Sequence, residues 1–134
     1  MLSNVHKKEV EELYATPILQ QTAFWSAVKK SLGTNTIAVN FNSRRSALYG
    51  VTDDRSTLSS DLLIVLQQIN RHHSVAYVPY GPELEPADEF QGMFLEELSE
   101  SLRSHLPKSC ILIRYDLCWE DAIARIRKVP PETY

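Results

Sequence analysis

Phe90, Phe94, Leu98 and Leu102 recur every four residues, and only an α-helix turns that period into one apolar stripe. Met93, Leu95 and Leu106 widen the stripe, Asp88 stands where an N-cap belongs, and Pro107 closes the segment. A helix with so broad an apolar face must lie on an apolar surface of similar size. Strand-like segments supply it. Ile37, Val39 and Phe41 alternate with Ala38 and Asn40, the two-residue period of a strand with one buried face. Leu62 to Leu66 is an unbroken apolar run, as in a buried central strand. Val75 to Val78 and Cys110 to Leu117 are rich in β-formers.

Thr22 precedes Phe24, Trp25, Val28 and Leu32 at helical spacing, and Gly33 follows as a stop signal, which predicts a helix from Ala23 to Leu32. The sequence further predicts a short helix over Lys7 to Tyr14, a turn at Ser43-Arg44-Arg45 and a short strand over Ala47 to Val51. A polar loop is expected from Thr52 to Thr57, and a last helix from Trp119 to Lys128. Helices and strands intermix without a repeat, so the expected class is α+β, or α/β-like. It is a mixed β-sheet flanked by the Ala23 to Leu32 and Asp88 to Leu106 helices, in a single domain of residues 1–134.

The composition bounds function. With 134 residues, 43% of them hydrophobic and 23% charged, the chain is long enough to bury a core and too balanced to be disordered. No apolar run approaches the roughly 20 residues of a membrane-spanning helix. A net charge of −3 argues against general nucleic-acid coating while leaving room for a local basic site. Cys110 and Cys118 are held apart by an extended segment, so no disulfide joins them and reduced thiols in a cytoplasmic setting are expected.

Familiar catalytic patterns are missing. His6, His72, His73 and His105 do not have metal-ligand spacing, so no metal site is expected. No Gly-x-Ser-x-Gly turn exposes a nucleophile, and Gly33, Gly50, Gly81 and Gly92 are too dispersed for a phosphate-cradling loop. No cofactor is called for. Three weaker features remain. Trp25 and Lys29 share a helical face, which suits a mobile cation for a phosphate or carboxylate, or simply a solvated lysine beside a core tryptophan. Tyr80-Gly81-Pro82 forms a rigid turn that lines a cleft or merely connects two elements. Arg114 and Asp116 lie on one face of a strand, either as an internal pair or as part of a site.

In order along the chain these segments resemble the FemABX family, aminoacyltransferases that build peptidoglycan cross-bridges. The stretch from Gln20 to Lys29 is similar to the family's Gln-x(n)-Trp-x-x-Val-Lys helix, with Gly33 at its following glycine. Ala76 to Pro82 resembles the Tyr-x-Pro-x-Gly-Pro turn, with Tyr80 where a basic residue is usual. Ile111 to Asp116 resembles the Leu-Arg-Ile-Asp-Pro strand, with Leu117 in place of the proline. The likeness runs from about Thr16 to Glu120 and covers the first of the family's two GNAT-like subdomains. The second has no counterpart here, as in a truncated gene product or one half of a split protein.

The resemblance implies an N-terminal portion of an enzyme that moves an amino acid from aminoacyl-tRNA to the stem peptide of a peptidoglycan precursor, inactive alone. Lys29 matches a lysine at the diphosphate of a UDP-linked or lipid-linked muropeptide, with Trp25, Tyr80, Gly81, Pro82 and Arg114 in the same cleft. Asp116 matches an acidic position considered for general-base duty, and a structural pairing with Arg114 stays open beside it. Expected partners are the muropeptide, aminoacyl-tRNA, and the second subdomain or another copy of this chain. The expected location is cytoplasmic, including the inner face of the membrane. Two other readings stand beside this one. A coenzyme A-dependent acyltransferase lacks its Arg-x-x-Gly-x-Gly loop here. A non-catalytic interaction domain of the same fold accommodates both departures from the motifs.

Overall fold

A computed structural model describes residues 1–52 and 55–119. Five strands form one sheet in chain order: β1 (Leu2–Lys8), β2 (Asn35–Arg44), β3 (Thr57–Gln68), β4 (Ser74–Pro79) and β5 (Cys110–Asp116). The first three pairings are antiparallel, and β4 pairs with β5 in parallel. A parallel pair needs a crossover, and α3 (Gln91–Arg103), introduced by a 3-10 turn over Asp88–Phe90, makes it. This is the expected mixed sheet flanked by helices.

Strand alternation sorts the sheet into two faces. One carries Val39, Phe41, Leu62, Ile64, Ala76 and Val78, and packs against Phe94, Leu98 and Leu102 of α3. Phe94 sits between Phe41 and Trp119, at ring-centroid distances of 5.9 and 6.0 Å. Phe41 and Phe94, both fully buried, each contribute about 1.5–3 kcal/mol by leaving water. The other face carries Thr36, Ala38, Leu63 and Val65 and is covered by α1 (Ala23–Ser31), whose Ser26 hydroxyl meets that of Thr36 at 2.6 Å. Thr22 caps α1 by accepting from the Trp25 N–H at 3.2 Å, and Gly33, with φ of 84°, ends it in the left-handed region. The helix is where the sequence places it.

Several sequence expectations are corrected. Lys7 to Tyr14 is not a helix: β1 runs through Lys8, and only Val10–Glu12 makes a 3-10 turn. The glutamates suggested a helix, but pairing with β2 prevails, and β1 suits an edge through its bulge and terminal lysines. No turn occurs at Ser43-Arg44-Arg45, because β2 continues through Arg44. The strand expected over Ala47 to Val51 is instead the helix α2 (Arg45–Tyr49), closed by Gly50 at φ of 71°. Arg, Ala and Leu favour a helix, and Gly50 is its left-handed cap. Leu62 to Leu66 lies inside a longer strand, β3, which begins at Thr57. Asp88 is not the N-cap: Ala87 precedes the 3-10 turn and Phe90 precedes α3, and Met93 points to solvent at 61% exposure. Of the helix expected over Trp119 to Lys128, Trp119 is a buried bend residue, and the remainder lies outside the described residues.

Candidate functional site

The site begins with a fault in the sheet. β3 and β4 pair only where Val65–Gln68 faces Ser74–Tyr77. Beyond that point the strands part, and the buried side chain of Gln21, from the 3-10 turn before α1, fills the gap. Its Nε2 donates to the carbonyls of Leu63 at 3.2 Å and Pro79 at 2.7 Å, while its Oε1 accepts from the Leu63 N–H at 2.8 Å. An amide side chain can donate and accept as a peptide group does, so Gln21 completes the ladder that β4 abandons. A Cβ on Gly81 would lie 2.9 Å from Gln21 Cδ. Glycine is required at 81 by this close approach. The positive φ of this turn belongs to Tyr80, at 53°, and the Gly81–Pro82 peptide is cis.

The expected site residues separate into three groups. Within the turn, Gly81 and Pro82 are buried, and the Pro82 carbonyl accepts from Trp119 Nε1 at 2.6 Å. Only Tyr80, half exposed, offers its side chain to a ligand. On α1, the Lys29 ammonium sits 5.1 Å from the centre of the Trp25 ring, within cation–π range. Among the described residues, Lys29 has no carboxylate partner and Trp25 Nε1 is buried without an acceptor.

The third group lies across β4 and β5. Tyr77 donates its phenol hydrogen to Asp116 Oδ2, the Arg114 guanidinium stands 5.4 Å above the Tyr77 ring, and Arg114 Nη2 is 3.7 Å from Asp116 Oδ1. Arg114 and Asp116 therefore do pair, on an exposed face. The hydrogen bond to Asp116 pushes the Tyr77 phenol up to about 12, helped by burial and the carboxylate charge and opposed by Arg114. Both Asp116 oxygens are engaged, and each keeps lone-pair capacity for another donor.

These groups share one neighbourhood by covalent and hydrogen-bonded linkage. Gln21, the residue before Thr22, ties the start of α1 to Pro79, the residue before Tyr80. Tyr77 then ties β4 to Asp116. Among the described residues, no hydrogen bond or ion pair directly joins Trp25 and Lys29 to Arg114 and Asp116. Next to Gln21, on its other side, lies a cleft of about 640 Å³ whose walls include Tyr14, Tyr49, Ser60, Asp61 and Glu83. Asp61 is held there by Lys8 Nζ at 3.0 Å to both oxygens, by the Tyr14 N–H at 2.6 Å and by Asn40 Nδ2 at 2.9 Å.

Sequence reasoning placed Gln21 and Tyr77 only within the segments that resemble the family, without a role of their own, and did not single out Asp61 or Glu83. For Asp61 a signal existed, since a carboxylate directly before the run Leu62 to Leu66 must be paired or exposed. For Gln21 nothing local announces that its partners lie 42 and 58 residues away. No protein-family model, curated protein or solved structure matches this chain.

Proposed function

We propose that this chain is the N-terminal, precursor-binding portion of a FemABX-like aminoacyltransferase. One observation carries the reading. The three segments that resemble the family, drawn from residues 20–29, 76–82 and 111–116, are fastened together by two bonds, Gln21 to Pro79 and Tyr77 to Asp116. In this reading Lys29, free of any carboxylate among the described residues, meets the diphosphate of a UDP-linked or lipid-linked muropeptide. Arg114 supplies a second cation, and the Tyr80 phenol lies at the rim.

The complete enzyme would join the carbonyl carbon of an aminoacyl ester to an amine of the stem peptide and release the tRNA hydroxyl. That step requires a proton to leave the attacking amine. Asp116 is the carboxylate on the exposed face that could accept it, since each oxygen retains a lone pair beyond Tyr77 and Arg114. Those same two bonds favour a second reading, a binding domain without chemistry in which Asp116 only positions Tyr77 and Arg114.

Calorimetric titration with a UDP-linked muropeptide tests the proposal. The expected result is saturable binding that weakens with salt and weakens about tenfold in Lys29→Ala, the value of one hydrogen bond to a charged group. Binding unaffected by Lys29→Ala, or no binding at low salt, overturns the precursor-site assignment. Asp116→Asn separates the two readings once the partner half and aminoacyl-tRNA are supplied: loss of transfer with binding retained supports a base, and undiminished transfer removes that role.

A further inference from the structure

The fault beside Gln21 leaves an edge of β3 open. One amide nitrogen donates to the carbonyls of Leu63 at 3.2 Å and Pro79 at 2.7 Å, so β3 and β4 no longer pair directly there. Past Gln21 no side chain among the described residues continues the bridge, and the cleft of about 640 Å³ opens in its place. Its wall on one side is β3. Because Leu63 turns its N–H and carbonyl away from β2 and toward Gln21, the alternation of an antiparallel ladder turns those of Asp61 and Ser59 the same way. Neither has a backbone partner on that side among the described residues.

Ser60, nine-tenths buried, also lines the cleft. Glu83, on the opposite wall, is exposed and accepts from the Thr16 hydroxyl at 2.7 Å without a cation partner among the described residues. With Asp61 already neutralised by Lys8, Glu83 leaves an unbalanced negative charge on the wall. Burial pushes the nearby Cys118 thiol up, and the charges of Glu83 and Glu85 push it further.

We propose that this cleft binds an extended peptide segment bearing a primary amine. Its backbone pairs with Ser59 and Asp61 where Gln21 leaves off, and its ammonium meets Glu83. Strand addition to an open edge supplies affinity through main-chain bonds, and the charge selects the side chain. The proposal stands on the geometry of the fault and does not require the muropeptide reading. Lys29→Ala tests that reading and leaves this cleft intact.

The test uses amide-resolved hydrogen exchange and NMR titration of the whole chain with a blocked tripeptide carrying a central lysine. Two controls are the same peptide with N-methylated backbone amides and the peptide with its lysine acetylated. The Ser59 and Asp61 amides are expected to exchange rapidly in the free protein and to become at least about tenfold protected with the lysine peptide, as one ladder bond would give. The N-methylated peptide should not protect them. Acetylation, or Glu83→Gln in the protein, should weaken binding by about two- to fivefold, the range of an exposed ion pair. Slow exchange in the free protein overturns the proposal, because the edge is then already occupied. Equal protection by the N-methylated peptide, indifference to acetylation, or no response to any peptide overturns it equally.

Discussion

The sheet carries two carboxylate–cation pairs on the same face, and they differ in almost every respect. Under the segments that precede α1, Lys8 and Asp61 meet at 3.0 Å with side chains only 9% and 9% exposed. On the uncovered half, Arg114 and Asp116 stand 3.7 Å apart at 63% and 39% exposure. The first pair is surrounded by further donors, Tyr14 N–H and Asn40 Nδ2, and Lys8 also lies 4.2 Å from the Tyr14 ring centre. The second leaves its guanidinium over a tyrosine and its carboxylate partly open to water. Pairing in the covered half satisfies charges that would otherwise be stranded. Pairing in the open half arranges charges that remain available. Gln21 marks the boundary, since it is the point at which β3 and β4 separate.

Breaking the covered pair is expected to have the largest effect. Asp61→Ala strands a buried ammonium and should cost about 3–5 kcal/mol in urea unfolding, whereas Asp116→Ala should cost at most about 1 kcal/mol. Similar losses at both positions would erase the contrast. The boundary comes next. Gln21→Ala leaves the Leu63 N–H and two carbonyls without partners, for an expected loss of about 3 kcal/mol. Gly81→Ala should lose about 1–3 kcal/mol by crowding the Gln21 amide. The two losses should not add in the double variant, because both act on one contact.

Charge in the open half can be read by spectrophotometric titration. The Tyr77 phenol, held near 12 by its bond to Asp116, should fall toward the ordinary value of about 10 in Asp116→Asn. The raised value means that the folded state favours the protonated phenol. That stabilisation is complete below the unfolded value and is lost as pH rises through about 12, so alkaline unfolding of the wild type should steepen across that window. The smallest effect is expected at Ser43, fully buried in β2 with no hydrogen-bond partner among the described residues. Ser43→Ala should be neutral or stabilising by up to about 1 kcal/mol, as measured by the thermal midpoint.

What the sequence disclosed follows from period and range. The α3 stripe of Phe94, Leu98 and Leu102, the alternation of Ile37, Val39 and Phe41, and the Thr22 cap of α1 are local patterns, and each is found in place. The short elements misled, because five residues from Arg45 to Tyr49 cannot display a period, and only their residue preferences and the left-handed Gly50 cap distinguish their helix from a strand. β1 owes its conformation to pairing with β2, a long-range effect that outweighs the helical preference of its neighbourhood. For the candidate site, the Arg114–Asp116 pair was readable from i, i+2 spacing. The roles of Gln21 and Tyr77 depend on partners far along the chain and were not.

The division of the sheet at Gln21 is tested most directly by an amide-resolved NMR map of the chain titrated at low salt with a UDP-linked precursor from which the stem peptide, and with it the amine the cleft would bind, has been removed. The expected result is a contiguous set of shifts over Trp25, Lys29, Tyr77, Tyr80, Arg114 and Asp116, with Lys8, Asn40 and the hydrogen bonds of the covered half unmoved. Shifts centred on the Lys8–Asp61 network, or a saturated titration that leaves the β4–β5 face silent, would contradict the assignment of binding to the open half.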